Sequence, residues 1–166
     1  MKHIIEKAYD PESIREPAYQ LVDLLADYLT KATSRDYDKV LPNTSPQDQL
    51  AKWDTTDSGK NLNAFFQKVL ANSTKLQHPK YMGHQVSPTL PVAALADLFS
   101  ALLNNGTGVF EMGPASNALE YQICEMTAKK MGLGEQSGGF LNSGGTLANL
   151  TALLTARAIK VPDAWE

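Results

Sequence analysis

Residues 90–103, LPVAALADLFSALL, constrain this chain more than any other stretch. Beyond Asp97 and Ser100 the run is apolar, and with Thr89 before it the pattern predicts a helix over 89–103. A helix apolar nearly all round must be buried on every side. It is too short for a membrane, which takes about 20 apolar residues. The stretch therefore reads as a buried helix of a soluble protein. In so small a chain, the cover has to come from a partner subunit.

Composition narrows the class. The chain has 166 residues, one domain's worth, with 43% hydrophobic and 20% charged. That excludes disorder for the bulk of it. Fifteen basic residues against 18 acidic give a net charge of −3. No basic block stands out, which argues against nucleic acid as a partner. Cys124 is the one cysteine, so an intrachain disulfide is excluded and a reducing compartment is favoured. Residues 1–10 are polar and lack the apolar core of a signal peptide. A cytoplasmic protein is expected. No CxxC pair, HExxH pattern or tandem repeat is present, which disfavours a zinc site or a solenoid.

Helical periodicity dominates the first half. Pro17 suits a first helical position, and Leu21, Leu24, Leu25, Tyr28 and Leu29 follow at helical spacing, giving a helix over 17–33. Ser45-Pro46 predicts a cap and start for a short helix ending near Trp53. Leu62, Phe65, Phe66, Val69 and Leu70 mark another amphipathic helix. Gly106 and Gly108 predict a flexible loop. Residues 115–131 carry two apolar stripes, and Gly132 caps them. Gly138–Asn142 is a short strand candidate, and Leu147, Leu150, Leu154 and Ala158 define a helix of about four turns after it. Pro162 stops that helix. One strand makes no sheet. The expectation is the front portion of a larger α/β protein, with a complete small helical protein as the alternative.

Two segments could carry chemistry. In FLNSGGTLANL, a strand leads through Ser143-Gly144-Gly145-Thr146 into a helix. Glycines admit a ligand close to the backbone, and free N–H groups at a helix start favour an anion such as phosphate. No lysine follows the glycines, so this is not a Walker loop. A plain N-cap is the other reading. In HPKYMGHQVS, His84 and Gln85 could line a pocket, or sit on a surface loop. His78-Pro79 reads as a turn and Lys80 as a solvated lysine. Glu111, in VFEMGP, is either a pocket carboxylate or a helix-entry or salt-bridge partner.

Together, HPKYMGHQVSPTLP, NNGTGVFEMGPASNALE and FLNSGGTLANLTALLTAR resemble the N-terminal part of pyridoxal-phosphate-dependent amino-acid decarboxylases. This is the group acting on aromatic amino acids, glutamate, cysteine sulfinate and diaminobutyrate. The resemblance covers residues about 62–160. It implies an α/β fold: an N-terminal helical segment plus the start of an aspartate-aminotransferase-type (fold type I) large domain. Residues 1–87 would be the helical segment and pocket loop, and 88–166 an interface helix and the beginning of the cofactor domain. The family's phosphate-binding positions fall on Gly144, Gly145 and Thr146, with Ser143 adjoining. Its substrate-pocket positions fall on His84 and Gln85, with Ser87 nearby. The FEMGP stretch resembles the loop that reaches the neighbouring subunit of a homodimer, with Phe110 and Glu111 at its tip. Where relatives carry Tyr or Gln, this chain has His84, so the identity of the amino-acid substrate stays open.

The family's cofactor-bearing lysine, which directly follows a histidine, has no counterpart among residues 1–166, and neither do its ring-stacking histidine and pyridine-pairing aspartate. No catalytic or metal-ligating residue is therefore assigned, and the rest of the enzyme, on the same or a second polypeptide, is an expected partner. The chain alone is expected to be inactive. Two rivals remain: a pyridoxal-phosphate lyase or aminotransferase of the same fold, and a non-catalytic helical interaction module docking through 89–103.

Overall fold

The structure is a computed structural model that describes residues 2–37, 39–53 and 61–161. Its helices are α1 (Lys2–Ala8), α2 (Glu12–Thr33), α3 (Pro46–Ala51), α4 (Leu62–Ala71), α5 (Pro91–Leu103), α6 (Pro114–Lys130) and α7 (Gly145–Lys160). A single 3-10 turn, Phe110–Met112, precedes α6. The chain divides into two compact units, Met1–Ala94 and Leu95–Glu166.

In the first unit, α2 packs on α4. The longest helix starts five residues before the expected Pro17, which lies inside it. Asp10 explains the earlier start, because its Oδ1 accepts the Glu12 N–H at 3.1 Å and satisfies an orphan donor. Helix α1 was not anticipated from sequence at all. The Ser45-Pro46 expectation holds: Ser45 Oγ accepts the Asp48 N–H at 3.1 Å, with Pro46 in the first turn. Asn61 caps α4 the same way, accepting from the Ala64 N–H at 3.0 Å.

The buried centre of this unit is small and partly polar. Tyr28 and Ala32 are its buried hydrophobic residues, joined by Lys75 at 5% exposure and His78 at 3%. The Tyr28 hydroxyl donates to Gln77 Oε1 at 2.5 Å. The Lys75 backbone N–H reaches the Val40 carbonyl at 2.9 Å. Its ammonium donates to the Leu70 carbonyl and lies 5.9 and 5.4 Å from the Tyr28 and Tyr37 ring centroids. A buried cation is tolerable here because a carbonyl and two ring faces replace water. Nearby, Trp53 meets Phe65 edge to face at 6.2 Å.

In the second unit, α6 is closed at both ends by main-chain geometry. At its start, Gly113 is the cap residue, and the Gly113 carbonyl accepts from the Asn117 N–H at 2.9 Å. At its end, Gly132 takes φ +74°. The Leu133 N–H returns to the Ala128 carbonyl at 3.0 Å and the Gly132 N–H to Lys129 at 3.1 Å. These two bonds are the pair expected when a left-handed glycine ends a helix.

No strand is present among the described residues. The expected strand 138–142 has no neighbour to pair with, and a strand exists through its ladder. Its Leu141 N–H goes instead to a side chain, as described below. The loop over Gly106 and Gly108 is more specified than the sequence indicated, because Gly106 packs against Met112 and Gly113.

Among the described residues of the second unit, Gly113 alone is buried. The apolar stripe of α7 is open too, with Leu150 half exposed. Helix α5, within which the two units divide, leaves Val92, Leu95, Phe99 and Leu102 more than half exposed.

Candidate functional site

One candidate site is the turn into α7. Gly144 caps the helix with extended backbone, and no side chain bonds to its first amides. The first bond closing that turn is from the Ala148 N–H to the Gly144 carbonyl, at 3.1 Å. The N–H groups of Gly145, Thr146 and Leu147 precede it and are the orphan donors of the helix start. With the positive end of the helix dipole they form an anion-binding arrangement. A hollow of about 350 Å³ lies against them, lined by Ser143, Gly144, Gly145, Thr146, Leu147 and Leu150.

The two glycines bear on what that hollow holds. A methyl group on Gly144 or Gly145 would meet nothing within 4 Å. Neither residue has the positive φ that makes glycine necessary. This chain's own packing therefore places no demand for glycine at either position. The open space leaves the backbone there accessible to a ligand. The residues present thus fit a phosphate group: three amide donors, two hydroxyls from Ser143 and Thr146, and an unobstructed approach.

The turn is held from α6. Glu120 Oε1 accepts the Leu141 N–H at 2.8 Å. A methyl group on Gly139 would touch Cys124 Cβ at 3.6 Å, one helical turn further along. Residues 139–141 therefore lie along one face of α6 just before Ser143. Sequence reading passed over Glu120, because a carboxylate between two apolar stripes carries no signal of a main-chain partner across 21 residues.

The other candidates are as exposed as the residues of this turn. His84, Gln85 and Ser87 lie on an exposed loop in the first unit, where the Val86 N–H bonds to the His84 carbonyl at 2.6 Å. Phe110 and Glu111 belong to the second unit. They form the exposed 3-10 turn before α6, Phe110 at 62% exposure. Ser143, Gly144, Gly145 and Thr146 are brought together around one hollow. His84, Gln85 and Ser87 line neither hollow described here.

His78 is a core residue. Its Nδ1 accepts the Lys80 N–H at 3.0 Å, which makes the expected turn, while its buried Nε2 has no partner. A hollow of about 640 Å³ in the first unit is lined by Leu24, Tyr37, Leu41, Leu70 and Lys75, among others. Burial lowers the Lys75 ammonium below its usual range. Burial also raises the Tyr28 hydroxyl, with the Gln77 backbone opposing and Tyr37 adding to the rise. Among the described residues no group of three His, Cys, Asp or Glu could hold a metal. None of the described helices is long and apolar enough to cross a membrane.

Known proteins place this geometry in context. No protein-family model matches the chain. It is 27% identical over 107 residues to the L-2,4-diaminobutyrate decarboxylase of Acinetobacter baumannii, covering 64% of this chain and 21% of that protein. It is 24% identical over 153 residues to the aromatic-L-amino-acid decarboxylase of Bacillus atrophaeus, covering 90% and 32%. The crystal structure of mouse CSAD superimposes with a TM-score of 0.78 at 22% identity, over 93% of this chain and 33% of that one. The chain thus spans a third or less of the length of these relatives. The resemblance to the pyridoxal-phosphate-dependent amino-acid decarboxylase group holds, and the fold is that of the matching part of mouse CSAD.

Proposed function

We propose that this chain is the N-terminal part of a pyridoxal-phosphate-dependent amino-acid decarboxylase, and that the turn Ser143–Thr146 holds the cofactor's phosphate. The observation that carries the reading is the open start of α7, where amide donors face a hollow and glycines have no packing role. Residues 1–87 supply the helical segment and pocket loop. Residues 88–166 supply an interface helix and the start of the cofactor domain.

Pyridoxal phosphate, when bound, supplies an electron-withdrawing ring that makes loss of carbon dioxide from an amino acid feasible. This chain's residues bind and orient. The N–H groups of Gly145, Thr146 and Leu147 donate to phosphate oxygens, and the Ser143 and Thr146 hydroxyls add donors. The positive end of the α7 dipole favours the dianion over neutral competitors. His84, Gln85 and Ser87 contact the substrate's side chain. Phe110 and Glu111, on a turn fixed to the start of α6, reach the site of a second copy in a homodimer. The exposed apolar residues of α5 support a role as interface. The cofactor-bearing lysine comes from the remainder of the enzyme. The assembly works in the cytoplasm, away from nucleic acid and membrane.

The test is a titration of the isotopically labelled 166-residue chain with inorganic phosphate and with pyridoxal phosphate. Amide shifts confined to residues 143–147, at a dissociation constant near millimolar, about 4 kcal/mol of binding, are expected. Carbon dioxide release from acidic, aromatic and diamino acids should stay at the free-cofactor background. Shifts absent from the α7 start, or turnover by the chain alone, would overturn the reading.

A further inference from the structure

We infer that Glu120 is a positioning residue for the anion-binding turn, acting through Leu141. The inference rests on the phosphate reading above and adds to it the element that sets the turn's position. The carboxylate accepts the Leu141 N–H at 2.8 Å, and one helical turn later Cys124 meets Gly139. The main chain is thus bonded to α6 at Leu141 and runs close to it at Gly139, and only Asn142 separates Leu141 from Ser143. Beyond that point no side chain caps the start of α7. The direction in which the chain enters the turn, and hence where the Gly145, Thr146 and Leu147 amides converge, depends on the hold at Leu141.

The choice of a carboxylate fits this task. A backbone amide that has no strand partner needs a strong acceptor, and an ionised oxygen gives a shorter and stronger bond than a neutral one. The same helix begins at Gly113, directly after the Phe110–Met112 turn. Helix α6 therefore carries the Phe110–Glu111 turn at its start and grips the approach to the anion site in its middle.

The test uses the labelled 166-residue chain with Glu120→Ala, Glu120→Gln and, as control, Glu125→Ala. Glu125 sits on the same helix but pairs with the exposed Lys129 at 2.7 Å. Two quantities are read: hydrogen exchange at the Leu141 amide, and the dissociation constant for inorganic phosphate. Glu120→Ala should speed Leu141 exchange and weaken phosphate binding, each about tenfold, the scale of one lost hydrogen bond. Glu120→Gln keeps an acceptor oxygen and should restore both to within about threefold. Glu125→Ala should change neither.

Unchanged Leu141 exchange in Glu120→Ala would remove the clamp. Faster exchange with unchanged phosphate affinity would leave a structural bond and overturn the positioning role. Equal losses in the Gln and Ala variants would also overturn it, because the acceptor would then not be what matters. A wild-type chain that binds no phosphate would remove the phosphate reading and the positioning role with it. Leu141 exchange would still show separately whether the clamp exists.

Discussion

A methyl group on Gly113 would lie 2.5 Å from the carbonyl oxygen of Gly106. The obstacle is backbone, so no side chain can swing aside to relieve it. Gly113 is also the cap of α6 and is buried. Gly113→Ala is therefore expected to destabilise the second unit by about 1–3 kcal/mol, the usual cost of overpacking. Gly108 has nothing within 4 Å, and Gly108→Ala should change stability by less than about 0.5 kcal/mol. Urea unfolding followed by helical circular dichroism separates the two, and equal effects would show that the close approach does not exist.

Gly132 offers a different kind of test, because its constraint is conformational. Its φ is +74°, and space around it is open. Gly132→Ala should cost about 1 kcal/mol through the left-handed backbone alone. Gly132→Asn should recover part of that, since Asn tolerates this region better. Thermal melts of the three proteins should rank Gly above Asn above Ala. The reverse order for Asn and Ala would point to a steric origin instead.

At the start of α7, stability and binding should separate. Gly145 is the first helical residue with open space beside it, so Gly145→Ala should leave stability unchanged or raise it by up to about 1 kcal/mol. The added methyl group would occupy the approach to the amides, and phosphate affinity should fall at least about tenfold. Calorimetric titration with phosphate, beside a thermal melt, measures both. A variant that binds as well as the wild type would mean the glycine is not there for a ligand.

Stability of the first unit should depend on alkaline pH in two opposed ways. Lys75 has a lowered folded-state value, so the folded chain binds fewer protons than the unfolded one below 10.5, and stability rises as pH climbs through that window. Tyr28 has a raised value, so above 10.0 the unfolded chain loses a proton that the folded chain keeps, and stability falls. Stability should climb as pH approaches 10.0, and above that the fall from Tyr28 should oppose it. Lys75→Met should abolish the climb and keep the fall. An identical pH profile in Lys75→Met would show that the buried ammonium carries no such cost.

Local patterns were legible where a residue acts on its neighbours. Ser45 caps the helix that follows it, and Gly132 ends the one before it. Pro17 misled for the same local reason. A proline suits a first turn, yet Asp10 had already satisfied an orphan amide further back and moved the helix start to Glu12. The strand expected at 138–142 depended on pairing, which no local pattern supplies.

By itself the sequence determined that helices fill the chain from α2 onward, the Ser45 cap, the Gly132 terminator and the glycine turn ahead of α7, because propensity, capping and periodicity act within a few residues. It also carried the resemblance to decarboxylases, through three short segments in order. Only the tertiary structure decided which distant groups meet: Lys75 under Tyr28 and Tyr37, and Glu120 on Leu141. Such contacts join positions far apart along the chain. A hydrogen bond or a close approach across that separation leaves no period in the sequence, because it depends on where the backbone has already been brought.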